Sequence, residues 1–391
     1  MTKILLVANT DWYLYNFRLS LAKFLRRRGM YVVMVSPFGR YVENIRAAGF
    51  PWVEWSVDRR SISGATEIRA LLDLCRIYRR EKPDLVHHFT IKPVLYGSMA
   101  ARWAKVPAII NAITGLGYLF LRQSLVTRVL RTAVMLAYRF LLRGDRVFTI
   151  FENESNRQFF ISHHLVQPEQ ATVIEGVGVD VEHFVPAPEP LTQEIVVLFP
   201  ARLLREKGVE VVADAARLLR GHYPIRFILA GEPDPGNPGS VTEEQVRAWE
   251  AEGLVEWWGW QTNMVEVYRQ SHIVVLPSLG EGIPTALLEA GACARPVVTT
   301  DVPGCHDVIV DGENGLIVPP NNPQALAEAI ERLLRDPQLR LKLGQAGRAR
   351  VLERFTDDHI NYQTWAVYRH MLSLPDSEVC NEGMTVKKSV D

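Results

Sequence analysis

The chain has 391 residues, 48% of them hydrophobic, and its 44 basic and 44 acidic side chains cancel to a net charge of zero. This length exceeds one ordinary core, so we expect two domains. Its apolar runs are too short for a spanning helix or a signal-peptide core. Neither paired nor metal-ligand spacing relates Cys75, Cys293, Cys305 and Cys380, which is typical of a reducing compartment. We therefore expect a cytoplasmic protein.

The zero net charge conceals two halves of opposite sign. Residues 1–180 hold 25 Lys and Arg against 14 Asp and Glu, whereas residues 181–391 hold 19 against 30. A basic half indicates an anionic partner, either a membrane surface or nucleic acid. Attraction between the two halves across a cleft is the alternative explanation.

Apolar runs alternate with helical patterns in both halves of the chain. The first half has strand-like runs at 4–8, 31–35, 84–87, 108–111 and 146–150, with helices such as 65–80 between them. After a proline-rich connector the pattern restarts, with runs at 195–200, 225–230, 255–258, 273–276 and 296–299. Such alternation predicts parallel sheets covered by helices on both faces.

The predicted fold is therefore α/β, with two doubly wound Rossmann-like domains that face a cleft. The expected boundaries are an N-terminal domain at 1–184, a linker at 185–193, a C-terminal domain at 194–356, a helix at 357–374 that crosses back to the N-terminal domain, and a disordered tail at 375–391. In open sheets of this kind, ligands bind at the carboxyl ends of the strands.

A loop that follows the run at 273–276 is the most informative segment. It contains Glu281 and Gly282, and Pro284 is expected at the first position of a helix that carries Glu289. The free N–H groups at a helix start attract phosphate, and two nearby carboxylates suit hydroxyl groups. This combination fits a sugar nucleotide, and the alternative is an ordinary strand-loop-helix with two solvated glutamates.

Other strand ends in the second half carry further candidates. Arg202 and Lys207 follow the run at 195–200, before a helix expected near Val209, and fixed cations there are well placed to hold a diphosphate. A basic surface loop is the alternative. Gly231 follows the next strand, and Trp258 ends another; core packing is the favoured interpretation of Trp258, and stacking on a base is the alternative.

Taken together, these strand ends have the order and spacing of the retaining GT-B glycosyltransferases of family 4, which the chain resembles over about residues 1–370. The resemblance rests on Glu281 and Glu289, separated by seven residues, and on the segments 301–304 and 311–316. It implies that Glu289 binds the ribose of the donor, that Glu281 with the backbone of Gly282, Ile283, Pro284 and Thr285 holds the donor sugar, and that Arg202 and Lys207 neutralise the leaving diphosphate. It also implies front-face attack with retention.

The N-terminal half resembles the bacterial enzymes that extend undecaprenyl-diphosphate-linked sugars. The segments that carry this resemblance are 111–117 and 151–156. It places Asn16, His88, Thr114, Gly115 and Gly117 on the acceptor or donor-sugar side. Unlike many members of the family, the chain has no histidine in 111–117 and no glycine-rich first loop. A buried histidine remains the alternative for His87 or His88.

A basic amphipathic helix is predicted over 125–146. Apolar residues cover one broad face, and the opposite face carries Arg128, Arg131, Arg139, Arg143 and Arg146. Such a helix suits an anionic membrane surface or a lipid diphosphate. A domain helix with its apolar face in the core is the alternative.

The expected function is a retaining hexosyltransferase that moves a sugar, N-acetylhexosamine in the first instance, from a UDP-sugar to a lipid-diphosphate-linked saccharide in polysaccharide or glycan assembly. Its partners are the nucleotide sugar, the lipid-linked acceptor and the inner leaflet of the cell membrane, where we expect a peripheral location. No Asp-x-Asp sequence occurs, so we expect no metal and no other cofactor. A GDP-mannose or UDP-hexose transferase, a sugar-nucleotide epimerase and a nucleic-acid-binding protein are the alternatives; the absence of basic-aromatic interleaving disfavours the last.

Overall fold

The structure of the protein, a computed structural model, describes residues 1–59, 61, 63–115 and 125–375. Gly117 and nearly all of the tail predicted over 375–391 lie outside these residues. The described residues form two parallel sheets, one in each half of the chain. This arrangement confirms the predicted pair of doubly wound α/β domains.

Within the described residues, seven strands form the N-terminal sheet in the order β3-β2-β1-β4-β5-β6-β7, with every neighbouring pair parallel. The strands are β1 Lys3–Val7, β2 Tyr31–Ser36, β3 Trp52–Glu54, β4 Leu85–Phe89, β5 Ala108–Ile113, β6 Val147–Phe151 and β7 Ala171–Val173. The helices are α1 Asp11–Arg27, α2 Val42–Ala47, α3 Gly64–Glu81, α4 Ser98–Ala104, α5 Leu125–Leu141 and α6 Glu154–Ser162.

In the C-terminal half, the described strands are β8 Ile195–Phe199, β9 Ile225–Leu229, β10 Glu256–Trp257, β11 Ile273–Leu276, β12 Val297–Thr300 and β13 Leu316–Val318. Their order is β10-β9-β8-β11-β12-β13. The helices are α7 Val209–Leu219, α8 Glu243–Ala251, α9 Met264–Arg269, α10 Thr285–Ala292, α11 Cys305–Val308, α12 Pro323–Arg335 and α13 Pro337–Arg354. Short β3, β7 and β13 were not expected from the sequence.

The central strands are buried along their whole length. All residues of β4, β5, β11 and β12 are buried, because helices cover both faces of each sheet. This burial explains why apolar residues make up at least half of each of these strands.

A last helix, α14 Asp357–Leu372, packs on the N-terminal domain. Ile360, Val367 and Tyr368 belong to the core beneath the first sheet. Asn361 Nδ2 donates to Ser20 Oγ at 2.9 Å, and the Tyr368 hydroxyl is hydrogen-bonded to His87 Nδ1 at 2.6 Å. Helix α14 thus returns the chain to the first domain after the second domain is complete.

Both sheets have a switch point at which successive strands are added on opposite sides. It lies between β1 and β4 in the first sheet and between β8 and β11 in the second. The loops after these strands diverge and leave a crevice, which is where ligands bind in doubly wound folds. Arg202 and Lys207 follow β8, and Glu281 follows β11, so they border the crevice of the second sheet.

Candidate active site

Two loops meet at the switch point of the second sheet. The first follows β8 and ends at Gly208, and the second spans residues 278–284 after β11; we call it the 278–284 loop. Gly208 has φ of +81°, and a Cβ there would lie 2.1 Å from the carbonyl oxygen of Pro277. Only glycine allows this approach. The resulting contact brings the side chain of Lys207 to the 278–284 loop.

Lys207 and Glu281 form a largely buried ion pair. Lys207 Nζ donates to both carboxylate oxygens of Glu281, at 2.5 and 2.6 Å, and Ser278 Oγ donates to Glu281 Oε1 at 2.6 Å. The Glu281 side chain is 9% exposed and that of Lys207 is 21% exposed. Both groups are therefore held in one geometry at the crevice, in surroundings where electrostatic interactions are stronger than in water.

Arg202 lies beside the loop that follows β9. There it binds the carboxylate of Asp234, to which the sequence analysis assigned no role. Its Nη1 donates to Asp234 Oδ2 at 2.7 Å. A Cβ on Gly231 would lie 2.0 Å from the carbonyl oxygen of Ala201, so glycine is needed where these loops touch. Arg59 of the N-terminal domain donates to Asp234 Oδ1 and Oδ2 at 3.1 and 3.0 Å. One cation from each domain thus meets Asp234.

The helix after the 278–284 loop begins one residue later than expected. Pro284 is the N-cap of α10, with an extended conformation, and Thr285 is the first helical residue. Glu289 lies partly buried on this helix and accepts a hydrogen bond from the Tyr268 hydroxyl at 2.9 Å. Burial raises the pKa of Glu289 to about 7.

The N-terminal domain contacts the 278–284 loop directly. Glu152 and Asn153, just after β6, bind its main chain: Glu152 Oε2 accepts the N–H of Ile283 at 3.1 Å. That N–H is therefore hydrogen-bonded across the domains, and the predicted contact of the main chain at 282–285 with a donor sugar stays a prediction. The sequence assigned no role to Glu152 or Asn153, although they lie at a strand end within the segment 151–156.

Thr114 and Gly115 follow β5 and also face this loop. A Cβ on Gly282 would lie 2.6 Å from the Thr114 carbonyl oxygen, and one on Gly115 would lie 3.4 Å from the Gly282 nitrogen. The structure thus brings these two predicted residues to the junction of the domains.

Two other predicted residues of the N-terminal domain are placed differently. His88 is fully buried, with Nδ1 bonded to Asn111 Oδ1 at 2.9 Å and Nε2 to the Tyr78 hydroxyl at 2.8 Å. Burial lowers its pKa to about 4. Its predicted contact with a ligand does not fit this position, because β4 is covered on both faces. Asn16 is exposed on α1, and its amide donates to the Trp12 carbonyl at 2.9 Å.

The three tryptophans in and just after β10 have different surroundings. Trp257 and Trp258 pack against the core of the second domain, and Trp257 Nε1 donates to the Gly231 carbonyl at 2.7 Å. Trp258 thus packs against the core, as the favoured interpretation of the sequence has it. Trp260 instead meets Trp12 of the first domain, with ring centroids 6.1 Å apart.

Family comparisons agree with this geometry. The Glycosyl transferases group 1 model matches residues 182–350, and the Glycosyl transferase 4-like model matches residues 3–151. The two models fall on the two sheets and together span most of the chain. The chain is a GT-B glycosyltransferase. The predicted family is therefore confirmed.

Individual relatives of this glycosyltransferase act on lipid-linked sugars. It is 28% identical, over 94% of this chain and 96% of the relative, to the N,N'-diacetylbacillosaminyl-diphospho-undecaprenol alpha-1,3-N-acetylgalactosaminyltransferase of Campylobacter jejuni. It is 25% identical, over 72% and 74% of the two chains, to the UDP-Gal:alpha-D-GlcNAc-diphosphoundecaprenol alpha-1,3-galactosyltransferase of Escherichia coli. The Anabaena HepE structure with UDP and glucose has the same fold, with a TM-score of 0.78, 20% identity and coverage of 94% and 99%.

The predicted basic helix of the glycosyltransferase is shorter than 125–146. Helix α5 ends at Leu141, so Arg143 and Arg146 lie beyond it, and Arg143 Nη2 donates to the carbonyl of His164. The apolar face is only partly in the core. Val134, Tyr138 and Leu141 are buried, whereas a row of large apolar side chains is exposed: Val129, Leu130, Leu136 and Phe140. Among the described helices, none is long and apolar enough to cross a membrane.

Proposed function

We propose that this glycosyltransferase moves an N-acetylhexosamine from a UDP-sugar to a lipid-diphosphate-linked saccharide and retains the anomeric configuration. The observation that carries the proposal is the buried Lys207–Glu281 pair at the switch point, beside Arg202 and the start of α10. Cations and helix N–H groups at one crevice suit a diphosphate, and a fixed carboxylate suits sugar hydroxyls.

The reaction follows from this arrangement. The bond between the anomeric carbon and the diphosphate oxygen breaks, and the acceptor oxygen bonds to the same face of that carbon. The acceptor proton passes to an oxygen of the departing phosphate. Arg202 and Lys207 stabilise the negative charge that grows on the diphosphate, an effect that is largest in the transition state. Glu289 binds the ribose hydroxyls, and Glu281 holds the donor sugar.

The acceptor side of the proposal is supported by the relatives' names, two of which specify a diphospho-undecaprenol acceptor. The crevice of the N-terminal sheet, close to Thr114 and Gly115, is the proposed acceptor site. A lipid-linked acceptor requires the enzyme to work at a bilayer surface.

Helix α5 is the proposed contact with that bilayer, on the inner leaflet. Val129, Leu136 and Phe140 recur at helical spacing and form one exposed row. Arg128 and Arg139 are exposed on the adjoining side of the helix. An exposed apolar row flanked by arginines suits the boundary between acyl chains and anionic headgroups.

The test is transfer to a short-chain diphosphate-linked N-acetylhexosamine from a panel of UDP- and GDP-sugars. We expect turnover with a UDP-N-acetylhexosamine, and an α-linked product by NMR from the α-configured donor. A β-linked product would overturn retention. Turnover only with a GDP-sugar would overturn the donor assignment, and turnover only with acceptors that lack a diphosphate would overturn the acceptor assignment.

A further inference from the structure

The 278–284 loop is held from the opposite domain by two consecutive side chains. Glu152 accepts the N–H of Ile283 at 3.1 Å, and Asn153 Nδ2 donates to the carbonyls of Gly282 and Glu281 at 3.0 and 3.3 Å. Glu152 is 7% exposed and Asn153 is 1% exposed. These two side chains therefore bind the main chain of three consecutive residues, Glu281 to Ile283. The side chain of the first, Glu281, pairs with Lys207.

Close packing on both sides leaves this segment little freedom. A Cβ on Gly282 would lie 1.9 Å from Glu152 Oε2, and one on Gly304 would lie 2.1 Å from the Gly282 carbonyl oxygen. The peptide at Gly282 is thus enclosed between the N-terminal domain and the loop before α11. Within the second domain, the main chain of Glu281 is bonded to the Pro303 carbonyl at 3.2 Å.

We propose that Glu152 and Asn153 are positioning residues, which fix the 278–284 loop from across the cleft and so set the place of Glu281 when the two domains are together. The role rests on the proposed function of Glu281. Separation of the domains breaks three hydrogen bonds to the loop at once, and this couples the geometry of the donor-sugar site to the approach of the acceptor domain.

The charged surroundings of Glu152 come from both domains. Burial raises the pKa of Glu152 to about 7; nearby Arg18 of α1 and the N–H of Ile283 oppose this rise, and Glu281 adds to it. Tyr13 of α1 also interacts electrostatically with the carboxyl group. Near neutral pH the neutral form is thus well populated, and an amide is its close mimic. Glu152→Gln is therefore the conservative variant, because its carbonyl still accepts the N–H of Ile283.

The side chain of Asn153 also caps a helix, and a variant used in the test must preserve this cap. Its Oδ1 caps α6 by accepting the N–H of Asn156 at 2.9 Å. Serine retains this capping function but is too short to reach Gly282. Asn153→Ser therefore removes the cross-domain bonds without removing the cap. Exposed Glu154, the next residue, provides the control Glu154→Ala.

The experiment measures kcat, the Kd for UDP and the hydrogen exchange of a peptide that spans Gly282 and Ile283. We expect Glu152→Ala and Asn153→Ser to lower kcat about tenfold or more, because small misplacements of reacting groups are costly, and to change the Kd for UDP less than about twofold. Exchange of the peptide should rise in both variants. Glu152→Gln and Glu154→Ala should behave like the wild type.

Two outcomes for kcat would overturn the inference. Faster exchange with unchanged kcat would show contacts without a positioning role, and an equal loss of kcat in Glu154→Ala would show a general defect. If the wild type transferred no sugar from any UDP donor, the proposed function would fail separately. Unchanged exchange in Glu152→Ala and Asn153→Ser would then overturn the contact itself.

Discussion

Glu281 accepts hydrogen bonds from Lys207 at both carboxylate oxygens, although 74 residues of sequence separate the two side chains. The pair joins the loops after β8 and β11, which diverge from the switch point of the second sheet. A lysine held in this way is preorganised, so the enzyme does not have to immobilise it at the moment of reaction.

Replacing Lys207 or Arg202 by alanine should lower kcat by roughly 10²–10³-fold, the scale for removing one preorganised electrostatic contact. Both cations border the crevice where the diphosphate is proposed to bind. Steady-state kinetics with the UDP-sugar identified from the donor panel gives the measurement.

Arg220 is a suitable control for these variants, since it is an exposed arginine at the far end of α7. Arg220→Ala should leave kcat unchanged. Near-normal turnover in both Lys207→Ala and Arg202→Ala would contradict their role in stabilising the leaving group.

Donor binding should depend on pH through Glu289. Its pKa of about 7 means that the neutral form is favoured below this value, whereas the ionised form is the better acceptor for ribose hydroxyls. If only the ionised form of Glu289 binds the donor, the affinity rises with pH. The Kd for the UDP-sugar should then be about tenfold larger at pH 6 than at pH 8. Calorimetry at the two pH values measures this.

Glu289→Gln should weaken binding at pH 8 roughly tenfold or more, since a hydrogen bond to a charged group contributes about 1.5–3 kcal/mol. It should also make binding independent of pH over this range. A variant with the wild-type pH dependence would assign the titration to another group.

Activity should survive treatment with EDTA. The motivation is that the sequence lacks an Asp-x-Asp pair, and that Arg202 and Lys207 border the crevice where the diphosphate is proposed to bind. Turnover with and without the chelator is compared in one buffer. Complete loss, restored by Mg²⁺ or Mn²⁺, would show that a metal takes part.

Anionic vesicles should bind the protein through α5 at low salt. Arg128→Glu with Arg139→Glu should reduce sedimentation with vesicles, because each basic residue near an anionic surface contributes about 1 kcal/mol. Val129→Ser with Phe140→Ser should reduce it as well, since both side chains are more than two-thirds exposed at 72% and 73%. UDP-sugar binding should be unchanged in both variants.

Arg143 is unsuitable for this test because its guanidinium donates to the His164 carbonyl. Arg220→Glu, in the other domain, is the matched control and should sediment like the wild type. If both α5 variants still bound vesicles normally, α5 would not be the membrane contact. Binding to DNA in place of vesicles would favour the nucleic-acid alternative.

The sequence alone predicted two parallel-sheet domains and candidate residues at the ends of several strands. Strands covered on both faces are rich in apolar residues, so β4, β5, β11 and β12 could be recognised from the sequence. The carboxyl ends of parallel strands meet at one edge of a sheet, so Lys207 after β8 and Glu281 after β11 were expected together. These inferences use patterns that are local along the chain.

Only the tertiary structure decided which side chains cross between domains or turn into the core. His88 was expected near the cleft, but successive residues of β4 face opposite covered sides, and His88 meets Tyr78 while His87 meets Tyr368. Likewise, nothing local to Glu152 indicates that it meets Ile283, 131 residues away. Such contacts depend on how the two domains dock, and the periodicity of one strand or helix contains no information about that arrangement.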